Sequence, residues 1–253
     1  MTPLPHSSQL NAALQKLIAD ASQAKGAGVV SFSSSPRLKH LYRLCNATDA
    51  ILDELDESRM RPSLQAARTI VLNQPILLLY SFVEEALVDL RRFVELAMWN
   101  IYFTDHPVEW REFLESSGFS RDIEQPISFC AHRELGFYLS YAKELMRREP
   151  SGLAVLSLDA IQNSVRKLNK HAHAAMLALS TRRAAVLKER SDTDAKQLCE
   201  FASEVLGHVS IVLCAAHQKR FNRFGPAQRA YFDFLAGPSI SKKIRGGQFG
   251  IKD

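Results

Sequence analysis

Between Ile161 and Leu177 the chain sets Arg166, Lys167, Asn169, Lys170, His171 and His173 along what the spacing reads as one helix. Apolar residues recur at Ile161, Val165, Leu168, Ala172 and Met176, three or four positions apart, which marks a buried helical face. With Val165 as the origin, Arg166 and His173 fall at about 100° and about 80° and share one flank. Asn169 lies between them and the apolar stripe, while His171 points to the other flank. A cation, an amide and an imidazole on one edge of a core-packed helix suit a phosphate. The guanidinium can bind it in two-pronged fashion, and an imidazole titrating near neutrality can move a proton. Asn169, Lys170 and Lys167 are the accompanying substrate-binding candidates. The competing reading is a solvated polar flank, because short Arg-to-His spacings arise by chance among 32 Lys plus Arg and eight His.

The elements that must position this flank read as helices. A short helix over 9–24 precedes a Gly- and Ser-rich linker, so residues 1–36 form an N-terminal arm. Helices are expected at 37–58, 62–73, from Pro75 to about Tyr102, at a short stretch opened by Pro107, and at 130–148, 156–180, 192–222 and 226–236. Residues 117–127 read as irregular, and Val29–Phe32 is the one weak strand candidate. The expectation is an all-α bundle of about six to eight helices over 37–238, followed by a basic C-terminal tail over 239–253.

Composition sets broad limits. The 253 residues are 46% apolar and 23% charged, ordinary for a globular chain able to bury a core without metal or disulfide staples. The four cysteines are scattered, which suits reduced thiols and a cytoplasmic setting. The first residues lack the basic and apolar regions of a secretory signal. The apolar segment from Ile76 to Phe103 carries six charges, which argues against a membrane span. The net charge of +5 leans mildly toward acidic partners.

Other constellations are weaker. Asp105, His106, Glu109 and His132 lack metal-ligand spacing, so neither a metal nor another cofactor is expected. Glu84, Glu85, Asp89, Arg91, Arg92 and Glu95 crowd one helix, with Asp89–Arg92 and Arg91–Glu95 at attractive spacings. The run Lys219-Arg-Phe-Asn-Arg-Phe224 interleaves cations and aromatics. It fits base stacking, but better a helix end with cations near its C-terminus and two core phenylalanines.

The Arg-x6-His pattern from Arg166 to His173 resembles the signature of the HEPN superfamily (higher eukaryotes and prokaryotes nucleotide-binding domains). Arg92-Phe-Val-Glu95, then Tyr102-Phe-Thr-Asp-His-Pro-Val-Glu-Trp110, then Leu168-Asn-Lys-His-Ala-His173, is similar to the layout of bacterial HEPN-like proteins over roughly residues 75–220. The resemblance implies a helical bundle, catalytic roles for Arg166 and His173, and support of the motif helix by Arg92 or Glu95. It further implies a metal-independent endoribonuclease acting on RNA, a homodimer pairing two motif helices, and a bacterial defence or toxin-type role with a regulatory protein partner. Lys167 departs from the Asn, Asp or His common after the arginine. The alternative expectation is a non-catalytic helical module that binds nucleic acid or a partner protein.

Overall fold

Every residue from Phe93 to Phe103 is buried. A helix covered on all sides must run through the middle of its fold, and the rest of the chain is arranged to cover this one. The computed structural model describes residues 7–25, 35–55, 60–80, 82–116, 135–147, 152–180, 192–246 and 251. Within them lie eleven helices and no strand: α1 (Ser7–Lys25), α2 (Pro36–Glu54), α3 (Arg61–Leu79), α4 (Val83–Asp105), α5 (Pro107–Ser116), α6 (Leu135–Met146), α7 (Leu153–Ser180), α8 (Asp192–Ala216), α9 (Gln218–Arg223), α10 (Pro226–Ala236) and α11 (Pro238–Gly246). The central α4 is packed by α3, α5, α6, α7 and α8. On the far side, α2 is held between α3, α8 and α10.

The protein is all-α, but it has more helices than the six to eight expected. Two breaks near the C-terminal end account for the difference. The chain expected as one helix over 192–222 divides at His217 into α8 and α9. Gly237, at φ 91°, closes α10, and Pro238 opens α11 at once. The stretch from Ser239, expected as a tail, is therefore helical to Gly246. Ser241 and Ile244 are buried in it, and the Ile251 amide donates to the Ala216 carbonyl at 2.9 Å. Pro75 does not interrupt its helix: α3 runs through it to Leu79, and the break falls at Tyr80–Phe82. Both residues 117–127 and the strand candidate Val29–Phe32 lie outside the described residues.

Proline placement explains several starts. Pro36 follows the N-cap Ser35, whose hydroxyl accepts from the Arg37 amide at 3.3 Å. Pro62, Pro107 and Pro226 stand at other first turns, where the missing N–H costs nothing. Helix α1 of the N-terminal arm packs on the bundle. Leu14 is buried, α1 touches α2 and α3, and Arg43 donates to the Asn11 side chain at 3.1 Å.

α8 contains the segment Lys196–Ala216, long and apolar enough to cross a membrane by length and composition. Here it is a core helix. Val209, Val212, Leu213, Cys214, Ala215 and Ala216 are all buried, and α8 packs against α2, α4, α7 and α10. Ion pairs brace the periphery: Arg68 of α3 bonds Asp49 of α2 at 2.7 Å and also Asp53, and Arg37 pairs with Glu200 across α2 and α8.

Candidate functional site

The candidate flank lies on α7, which runs unbroken over Leu153–Ser180 and carries the whole motif. Its buried positions are Ala154, Ser157, Leu158, Ile161, Ser164, Val165 and Leu168. The burial of Ser157 and Ser164 turns the core-facing arc away from Val165, by about 40° on a helical wheel, toward the side that carries His171. The Arg166 flank is thereby rotated outward. Arg166 is exposed, and its guanidinium makes one long contact to the Asn163 amide oxygen at 3.5 Å. The side chains of Lys170, His171 and His173 lie outside the described residues, although their backbone belongs to α7. A regular helix carries the backbone at His173 about 10 Å beyond Arg166 and back to the same face.

Asn169 is half-buried between this flank and α4. Its side-chain oxygen accepts from Nε of Arg91 at 2.7 Å. The same guanidinium, through Nη2, lies 2.8 Å from Oε1 of Glu95, one turn along α4. Glu95–Arg91–Asn169 is thus a continuous polar chain from the centre of the fold to the motif helix. Holding the amide oxygen on Arg91 turns the amide nitrogen, a donor, to the other side. Burial pushes the Glu95 carboxyl above its ordinary range, while Arg91 and then Arg92 pull it back. The Arg91–Asn169 contact is a hydrogen bond, whereas the Arg91–Glu95 contact is an ion pair by proximity without hydrogen-bond alignment.

Arg92 or Glu95 is the support of the motif helix that the resemblance implies. Glu95 is joined to α7, but through Arg91. Arg92 is exposed, and its charge falls on its own helix, at Asp89 and Glu95. The signal for Arg91 was its four-residue spacing to Glu95; nothing local to the sequence shows which arginine of the pair faces a helix 78 positions away. Lys167 is exposed on the side toward α8, with Nζ 5.7 Å from the Phe201 ring centre, a cation–π contact rather than part of the Arg166 flank.

The remaining polar and aromatic groups have partners of their own. Asp105 accepts from the Tyr141 hydroxyl, Glu109 accepts from the Tyr102 hydroxyl at 2.6 Å, and His106 Nδ1 is 2.9 Å from the Tyr102 carbonyl oxygen. These groups serve an aromatic cluster in which His106 stacks on Tyr102 at 4.2 Å. His132 lies outside the described residues. Phe221 and Phe224 are buried, and Phe221 packs on Phe232 at 4.6 Å, so these rings are core and not a stacking platform.

No protein-family model, curated protein or solved structure matches this chain.

Proposed function

We propose that this chain is a HEPN-like, metal-independent endoribonuclease whose site is the outer flank of α7. The observation that supports the reading is the exposed Arg166 on a helix whose other face is locked in the core and whose Asn169 is pinned by Arg91. In the proposed reaction Arg166 binds the scissile phosphate and offsets the charge that builds on it. His173 takes the proton from the 2′-hydroxyl or returns one to the leaving 5′-oxygen. Asn169 donates its amide N–H to a phosphate oxygen, with Lys170 adding positive charge beside it. One histidine does not serve readily as acid and base at once. A two-fold homodimer that sets two α7 helices together supplies the second. A role in bacterial defence follows the same resemblance.

The test is incubation of the purified protein with labelled single-stranded RNA and transfer RNA in EDTA. Arg166→Ala and His173→Ala are each expected to lower cleavage by about 10²- to 10³-fold with the fold intact. His171→Ala is expected to stay within a few-fold, and the products should carry cyclic phosphate ends. Cleavage that survives both main variants would place the chemistry elsewhere. A folded, dimeric protein that binds RNA without cutting it would instead make this a non-catalytic binding module.

A further inference from the structure

The net positive charge of this chain is carried by residues 217–253. Residues 217–253 hold eight Lys plus Arg against Asp233 and Asp253, a net +6. Residues 1–216 hold 24 Lys plus Arg against 25 Asp plus Glu, a net −1. The fold gathers most of these cations on adjoining surfaces, because α9 and α10 both pack on α11. Gln218 at the start of α9 donates to the Ile244 carbonyl of α11 at 2.7 Å, which locks the two together.

The facing of α11 decides which side chains reach outward. Ser241 and Ile244 are buried and Ile240 is half-buried, so one side of the short helix is committed to the core. Lys242, Lys243 and Arg245 are exposed around the remaining arc. Lys219 and Arg223 of α9 are exposed as well. The one described carboxylate of this block, Asp233, is half-buried on α10.

We propose that α9 and α11 form a docking surface for the phosphate backbone of nucleic acid. Two observations choose this partner. Helix α11 contains no aromatic residue and the one in α9, Phe221, is buried, so these two helices offer cations and no stacking rings, which fits phosphate contact without base readout. An acidic membrane surface would also attract the charge, but interfacial helices insert an apolar face. Among the described residues the exposed large apolar side chains are Leu72, Phe82, Val88, Val108, Phe137 and Leu156, and none belongs to α9, α10 or α11. The surface is independent of the α7 flank and does not require that flank to be catalytic.

The test uses the full chain with His173→Ala, so that RNA stays intact, and a labelled 20-nucleotide single-stranded RNA followed by anisotropy in EDTA across salt concentrations. Five phosphate contacts give a slope of log affinity on log salt of about −3.5. Lys242→Gln/Lys243→Gln/Arg245→Gln should cut affinity at 0.1 M salt by about tenfold or more and reduce the slope by about 2. A control with Lys16→Gln/Lys39→Gln/Arg111→Gln, exposed cations elsewhere, should bind like the parent, and restoring charge with Lys242→Arg/Lys243→Arg should retain binding. Circular dichroism checks that each variant is folded. Equal losses in both triple sets, a salt-independent affinity, or capture by acidic phospholipid vesicles without RNA binding would overturn the proposal. Loss of cleavage in an otherwise wild-type chain is read separately, so failure of the α7 reading leaves this result interpretable.

Discussion

Arg91→Ala tests the polar chain that ties α4 to the motif helix. The substitution removes two contacts at once: the 2.8 Å pair with buried Glu95 and the 2.7 Å bond to Asn169. Breaking a fully buried ion pair costs about 3–5 kcal/mol. The Arg91 side chain is 30% exposed, so water shares its charge and the cost should be well below that range. Adding the lost hydrogen bond, we expect about 2 kcal/mol in total at neutral pH. For a chain of this size that lowers Tm by about 4–8 °C.

The pH dependence has a definite sign. The folded-state pKa of Glu95 is raised by burial, and Arg91 opposes the rise. A carboxyl raised in the folded state binds more protons there than in the unfolded chain. Stability is therefore lost as pH climbs from about 4.3, the unfolded value, through the raised folded value. Removing Arg91 raises the folded value further and deepens that loss. Below about pH 4.3 Glu95 is protonated in both states, and the penalty should shrink to the Asn169 bond, about 1 kcal/mol. Thermal melts of parent and variant from pH 4 to pH 8 measure this difference. Arg91→Ala/Glu95→Gln should recover about 1 kcal/mol at pH 7 and flatten the profile. A penalty as large at pH 4 as at pH 7, or no penalty at either, would show that Arg91 does not neutralise Glu95.

Three other outcomes are expected. Asn100→Ala, which takes the 2.7 Å side-chain partner from buried His217, should cost about 2 kcal/mol in urea unfolding. Gln218→Ala should release α11 before the rest of the fold, seen as faster amide exchange over 238–246 with global stability lowered by about 1–2 kcal/mol. Cys45, Cys199 and Cys214 are buried, and burial pushes the Cys199 thiol up to about 12. Iodoacetamide at pH 8 should leave these three unmodified in the native protein and label them in urea, as intact-mass spectrometry would record.

The helical class and the buried positions Ile161, Val165 and Leu168 of α7 were legible because they follow from local spacing at 3.6 residues per turn. The breaks at His217 and at Gly237–Pro238 mark what was read imperfectly. The Gly–Pro stop is a strong local signal, whereas a helix ending at His217 depends on α9 turning back to pair with α11. Pro75 misled for the opposite reason: a proline that breaks an isolated helix is tolerated when neighbouring helices hold the chain around it, and here it is buried. Which arginine of α4 reaches α7 was beyond local pattern, since Arg91 and Arg92 are chemically alike and adjacent. Only the packing of α4 against α7 decides that Arg91 meets Asn169, and only the burial of Ser157 and Ser164 sets how far the motif flank turns outward. The sequence by itself determined which residues share a helical face. The tertiary structure decided which of those faces meet one another and which remain open, because contacts between distant segments are chosen by burial and polar pairing across the whole fold.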